Sequence, residues 1–248
     1  MQKEFYTIMQ QKIIIIGATS GIGRRLSELY IKNGDRVGIS GRRQELLQEI
    51  KQQFPQQVEY ECFDVTKPDN TSHLETMLSK LNGLDILIIS AGTGEPSKEL
   101  DWKIDKTTVD TNVNGFIETA NWAFNYFLKQ GHGQLVTISS IAANRGGSWA
   151  PAYNASKAFQ SNYFEGLAIK AKRMNKNIAV TCIEPGYVNT KMAQGGNKMF
   201  WVVPVDKAAR QIVWGIEKRK RKVYISRRWW LIASIMKWVP FWLYKRFG

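Results

Sequence analysis

Lys12-Ile-Ile-Ile-Ile16-Gly17-Ala-Thr-Ser-Gly21-Ile-Gly23 passes from four consecutive isoleucines into three closely spaced glycines. A β-branched run without polar alternation reads as a strand buried on both faces, the situation inside a parallel sheet. Beyond the glycines, Arg24 to Asn33 has helical spacing, with Leu26, Leu29 and Tyr30 on one side, and Asn33-Gly34 supplies a C-terminal stop. Strand, glycine turn and helix in this order bring backbone N–H groups and a helix N-terminus to where a pyrophosphate can sit. Glycine suits the turn because a Cβ would hold the backbone away from phosphate. A glycine-rich turn that binds nothing is the competing reading, and the place of this one on the first strand favours a nucleotide.

The alternation continues outward from that unit. Arg36 to Ser40, Val58 to Phe63, Leu84 to Ser90, Gly133 to Ser139, Ile178 to Glu184 and Val223 to Ser226 read as strands. Helices are expected over Gln44 to Gln53, Asn70 to Leu81, Lys106 to Gln130, Tyr153 to Met174 and Asp206 to Lys218. Strands alternating with amphipathic helices imply βαβ crossovers, hence a single α/β domain with a Rossmann-like, doubly wound parallel sheet of about seven strands. We place that domain at residues 1–226 and a basic, Trp-rich amphipathic tail at 227–248.

The chain has 248 residues, 44% of them hydrophobic and 23% charged, enough for one sizeable core and too apolar for general disorder. Its formal charge of +14 is uneven: residues 218–248 hold ten basic residues and no acidic one, against 25 basic and 21 acidic elsewhere. Anionic partners are therefore to be sought at the tail first. Cys62 and Cys182 stand far apart, which argues against a disulfide framework or a thiolate zinc site and fits a reducing cytoplasm. Two histidines exclude an all-His metal site, so no metal is expected, and the absence of GxSxG removes the hydrolase elbow. Residues 1–11 lack the apolar core of a signal peptide, and no export is expected.

The second strand ends in Ser40-Gly41-Arg42-Arg43, without the acid that accepts bonds from an adenosine ribose 2'-hydroxyl. A guanidinium at Arg42 would pair instead with a 2'-phosphate, favouring NADP(H) over NAD(H); the competing reading is a pair of solvated loop arginines. Further on, Tyr153-Asn-Ala-Ser-Lys157 sets a phenol and an ammonium on one helical face. The cation would stabilise phenolate and lower the tyrosine pKa toward a useful acid or base.

In their order these pieces resemble the short-chain dehydrogenase/reductase family over about residues 10 to 226: GxxxGxG at 17–23, Asp64-Val65, Ser90-Ala91-Gly92, Asn112, Ser139-Ser140, YxxxK at 153–157 and Pro185-Gly186 through Thr190. The resemblance implies an NAD(P)-dependent oxidoreductase acting on an alcohol or carbonyl. Tyr153 would protonate the carbonyl oxygen, Ser140 rather than Ser139 would hydrogen-bond it, Lys157 would hold the nicotinamide ribose, and Asn112 would support a water relay. It also implies a cofactor site made of Gly17, Thr19, Ser20, Gly21, Ile22, Gly23, Arg42, Asp64, Val65, Ala91, Gly92, Val188 and Thr190, together with Tyr153 and Lys157. Asp64 would accept from the adenine amino group, and Val188 with Thr190 would fix the nicotinamide carboxamide. Two departures from the family stand out: Ile89-Ser90 replaces a common pair of asparagines, and Ser20 stands where NADP-preferring members often carry a basic residue. Dimers and tetramers are compatible with the resemblance.

Between Lys191 and Asp206, Gly195-Gly196 offers hinge freedom and Met192, Met199, Phe200 and Trp201 offer apolar surface, either to an apolar substrate or to the core. The tail follows Lys218-Arg-Lys-Arg-Lys222 and Arg227-Arg228, and Trp229 to Phe247 contains four of the nine tryptophans. As a helix of 19 residues it would reach about 28 Å, but Lys237 and Pro240 interrupt it. A peripheral anchor on an anionic membrane through residues 218–248 is the leading reading, with docking onto protein and a spanning segment as alternatives. Nucleic acid fits worst, because the basic residues flank an apolar block instead of lining a polar groove. Together these features predict a membrane-associated, cytoplasmic NADP(H)-dependent ketoreductase for a small apolar carbonyl or alcohol, such as a long-chain keto lipid. A noncatalytic NADP(H) sensor or scaffold whose tail recruits a partner is the alternative.

Overall fold

A computed structural model describes residues 10–97, 99–190 and 200–246. Met192, Gly195, Gly196, Met199 and Phe247, singled out from the sequence, lie outside the described residues. The strands are β1 (Lys12–Ile16), β2 (Arg36–Gly41), β3 (Val58–Cys62), β4 (Ile86–Ile89), β5 (His132–Ile138), β6 (Asn177–Pro185) and β7 (Lys222–Ile225). Helices α1 (Gly21–Lys32), α2 (Gln44–Gln53), α3 (Asn70–Leu81), α4 (Trp102–Val109), α5 (Phe116–Gln130), α6 (Pro151–Arg173) and α7 (Val205–Glu217) alternate with them. All seven strands run parallel in the order β3-β2-β1-β4-β5-β6-β7.

The isoleucine run is apolar at every position because both faces of β1 are covered. Ile13 and Ile15 pack with Leu26, Leu47 and Ile212 from α1, α2 and α7, whereas Ile14 and Ile16 pack with Leu74, Phe124 and Phe164 from α3, α5 and α6. Each such fully buried side chain contributes roughly 1.5–3 kcal/mol. The chain winds from β1 outward to β3, then returns past β1 to build β4. This reversal opens a crevice at the carboxyl ends of β1 and β4, where ligands bind in open α/β sheets.

The helix expected from Lys106 begins earlier, at Trp102, where the Asp101 carboxylate accepts from the Lys103 amide at 2.8 Å. It then widens into a π-type turn over Asp110–Gly115 before continuing as α5. A Cβ at Gly115 would stand 2.3 Å from the Val65 carbonyl oxygen, so close approach of two backbones requires glycine here. Strand β4 is shorter than expected, yet the amides of Asp85 and Ser90 still bond to the carbonyls of Lys12 and Ile16.

Residues beyond β7 form α8 (Arg228–Trp238), which Pro240 separates from α9 (Phe241–Tyr244). Trp229, 3% exposed, and Ala233 face the domain. The Trp229 indole lies so close to Gly186 that a Cβ there would overlap it. Arg145 donates to the carbonyls of Met236 and Val239 at 2.8 and 2.7 Å, and the Tyr244 hydroxyl donates to the Gly146 carbonyl at 2.6 Å. Tail and domain are therefore packed together through the loop that follows Ser140. Among the described residues no helix is long and apolar enough to cross a membrane.

The end of β6 carries a wholly buried carboxylate, Glu184, held by Lys222 Nζ at 2.6 Å, Ser161 Oγ at 2.9 Å and Asn144 Nδ2 at 3.0 Å. Removing the cation leaves that charge in a low-dielectric setting. Lys222→Met should lower stability by about 3 kcal/mol, read as a reduced urea midpoint with an unchanged slope. A loss below about 0.5 kcal/mol would mean that Asn144 and Ser161 suffice to hold the charge.

Candidate active site

The glycine turn closes the crevice on one side. Gly17 adopts a left-handed φ of +87°, and a Cβ on it would stand 2.6 Å from the Ala91 amide nitrogen. At Gly23 the added atom would lie 2.2 Å from the Gly17 carbonyl oxygen. These two glycines thus let the turn fold onto itself and onto the segment after β4. The result is a backbone cradle at the N-terminus of α1, whose aligned peptide dipoles favour an anion. Gly21 adjoins the Thr190 methyl group, Ser20 precedes the first helical turn, and Ile22 packs into the core.

Across the crevice, α6 supplies Tyr153 and Lys157, with the ammonium 5.7 Å from the phenol ring centre. Lys157 is 4% exposed. Its Nζ donates to the Ile138 carbonyl and to Gln160 Oε1, each at 3.0 Å. Burial without a carboxylate partner lowers its pKa to about 8. Tyr153 does not have the lowered pKa expected from the sequence: burial raises it, and hydrogen bonding with Ser140 only partly opposes the rise. A phenol in this environment is protonated at neutral pH, which suits a proton donor.

The two serines after β5 diverge. Ser140 Oγ accepts from the Ala142 amide at 3.1 Å and lies beside Tyr153. Ser139 turns inward, donating to the Lys157 carbonyl at 3.0 Å and pairing with Ser161 Oγ at 3.1 Å. Asn112 sits in the π-type turn and is wholly buried. Its side chain accepts from the Thr93 amide at 2.9 Å and donates to the Thr93 carbonyl at 2.7 Å and Ser156 Oγ at 3.0 Å. Its own carbonyl accepts from Gln160 Nε2 at 2.9 Å. Gly92 adjoins both Lys157 and Asn112.

At the other end of the crevice, Asp64 Oδ1 accepts from the Thr66 amide and hydroxyl at 3.0 and 2.9 Å, while the Val65 carbonyl accepts from Asn70 at 2.9 Å. Arg42, 71% exposed, approaches Asp64 at 3.9 Å. Arg43 instead reaches the glycine turn, donating through Nε and Nη2 to Thr19 Oγ1 at 3.2 and 2.7 Å. Val188 is buried and bridges to Val203.

Residues 11–200 match the family model described as short chain dehydrogenase. The chain belongs to the short-chain dehydrogenase family. A Myxococcus xanthus protein described as an uncharacterized oxidoreductase is 34% identical over 190 residues, covering 74% of each chain. Two solved structures share the fold. A short chain dehydrogenase from Burkholderia cenocepacia in complex with NADP aligns with a TM-score of 0.80 at 22% identity, covering 96% of this chain and 97% of that one. A 3-ketoacyl-(acyl-carrier-protein) reductase from Brucella melitensis complexed with NADH gives 0.78 at 20% identity, covering 87% and 96%.

Several residues of this short-chain dehydrogenase carry weak or no sequence signals. Nothing in the sequence distinguishes Arg43 from Arg42, since both follow β2. Gln160 lies three residues beyond Lys157, within reach along one helical face. Gly94 gives no local signal; a Cβ there would meet Tyr153 Cδ2 at 2.2 Å. Tyr187 touches Trp229 edge to face and lies near enough to Tyr153 to act on its ionisation.

The lowered lysine pKa has a consequence for stability. Between about 8 in the native state and 10.5 in the unfolded chain, Lys157 binds more protons when unfolded, so its contribution to stability rises with pH across that window. Urea titrations should therefore show wild type gaining stability over Lys157→Met as pH climbs through this range. Parallel pH dependence in the two proteins would contradict a buried, depressed lysine.

Proposed function

We propose that this short-chain dehydrogenase uses NADP(H), in preference to NAD(H), to reduce the carbonyl of a small apolar, lipid-like substrate, or to oxidise the corresponding alcohol, at the cytoplasmic face of an anionic membrane. The observation that carries the reading is the convergence of Ser140, Tyr153 and a buried Lys157 on one wall of the sheet crevice. The Gly17–Gly23 cradle and the α1 N-terminus fit a pyrophosphate, and Arg42 and Arg43 give the rim after β2 the charge to receive a 2'-phosphate. To the remaining length of the dinucleotide we assign Asp64, Val65, Ala91, Gly92, Val188 and Thr190, the residues that the family resemblance implies. When bound, the dinucleotide supplies the hydride. Tyr153 donates its phenolic proton to the substrate oxygen, Ser140 holds that oxygen in place, and the Lys157 ammonium stabilises the phenolate left behind.

Apolar substrate and membrane surface are supported by the tail. Its outward side exposes Leu231, Ile235, Trp238, Phe241 and Trp242, with Trp238 87% exposed. Arg227, Arg228, Lys237, Lys245 and Arg246 lie on the same two-helix segment. Aromatic residues favour the headgroup level and the cations favour anionic lipid. On its inward side, Trp229 packs against Tyr187, Phe200 and Trp201. That cluster includes Tyr187, in the turn after β6 and close to Tyr153, which supports a substrate entrance beside the tail.

Two experiments check the two halves of the reading. Tyr153→Phe should lower NADPH-dependent reduction of long-chain ketones by at least about a hundredfold while NADPH still binds; full retained turnover would remove Tyr153 from the chemistry. Equal rates with NADH would remove the 2'-phosphate assignment. For the membrane, a W238A/F241A/W242A variant leaves the buried Trp229 in place and should lose cosedimentation with phosphatidylglycerol vesicles. Undiminished sedimentation would exclude the tail as the lipid contact.

A further inference from the structure

Gln160 is wholly buried on α6, and both ends of its carboxamide are used. Nε2 donates to the Asn112 carbonyl at 2.9 Å, and Oε1 accepts from Lys157 Nζ at 3.0 Å. The orientation is fixed by chemistry: an ammonium has no acceptor for an amide N–H, and a carbonyl has no donor for an amide oxygen. Family resemblance assigns a water relay to Asn112. In this chain the Asn112 carbonyl is joined to the Lys157 ammonium by a protein side chain.

A carboxamide neither gains nor loses a proton near neutrality, so it can hold a cation but not pass its proton on. The other anchor of the ammonium is the backbone carbonyl of Ile138 at 3.0 Å. Facing Lys157 are Tyr153 on its own helix and the Cys182 thiol on β6, which burial pushes up to about 11. Glu184 connects to the Lys157 backbone carbonyl, not its ammonium, through Ser161 and Ser139. Gln160 is thus the neutral side chain on which the charged state of Lys157 leans.

We propose that Gln160 is a positioning residue, its carboxamide tying the Lys157 ammonium to the Asn112 carbonyl in the π-type turn and so fixing the cation beside Tyr153. The proposal rests on the Tyr153–Lys157 reading above, but it concerns the lysine directly and can be tested without a substrate. The Lys157 side-chain 13Cε resonance, assigned by its absence in Lys157→Met, reports the protonation of this one group during a pH titration of the full-length protein.

Wild type should titrate at about 8. Gln160→Met removes the acceptor and should lower the midpoint by about one pH unit, whereas Gln160→Glu places a carboxylate against the ammonium and should raise it by about one unit. A merely structural role would not move the midpoint in opposite directions. Should Gln160→Met fail to fold, the rise in Gln160→Glu alone carries the test. Midpoints that agree within a few tenths, or that move the same way in both variants, would overturn the proposal. Loss of the Tyr153 reading would show separately, as Tyr153→Phe retaining full turnover while these midpoints shift as expected.

Discussion

A buried ammonium held by neutral partners is the constraint around which the crevice is organised. Lys157 has no ion-pair partner among the described residues; its donors meet the Ile138 carbonyl and the Gln160 amide oxygen. Such a cation is costly to bury, which is why its pKa falls toward 8, and it becomes more favourable when a negative charge appears nearby. A phenolate at Tyr153 is such a charge. In the proposed reaction, stability given up in the resting protein would be recovered as the tyrosine releases its proton to the substrate oxygen.

Much of this was legible in the sequence because the signals were local. Four isoleucines in a row announce a strand covered on both faces, and Gly17, Gly21 and Gly23 announce the turn after it. The spacing of Tyr153 and Lys157 placed them on one face of a helix. What could not be read depends on distant segments meeting. The raised pKa of Tyr153 follows from packing by residues far along the chain, and Gly94 matters only because its loop meets the tyrosine ring. The approach of the Val65 carbonyl to Gly115, at the end of the widened turn Asp110–Gly115, is another contact without a sequence signature. Arg43 rather than Arg42 reaches Thr19 because the turn after β2 sets the direction of each side chain.

The tail joins features that the sequence left as alternatives. Its inward residues, Trp229 and Ala233, are part of the packed structure, while its outward apolar residues remain available to a lipid surface. Docking on the domain and binding a membrane are therefore compatible properties of opposite sides of one short segment. Arg145 secures the segment by bonding the last carbonyls around α8, and it lies five residues after Ser140. The proposed entrance for an apolar substrate and the proposed reacting groups are consequently parts of one continuous stretch of packing.

A crystal structure of the protein grown with saturating NADP+ tests the proposed site most directly. The pyrophosphate is expected on the amides of the Gly17–Gly23 turn, the 2'-phosphate at Arg42 and Arg43, and the nicotinamide ring beside the Tyr153 hydroxyl. A dinucleotide bound elsewhere, or a nicotinamide separated from Tyr153 by the width of the crevice, would contradict it.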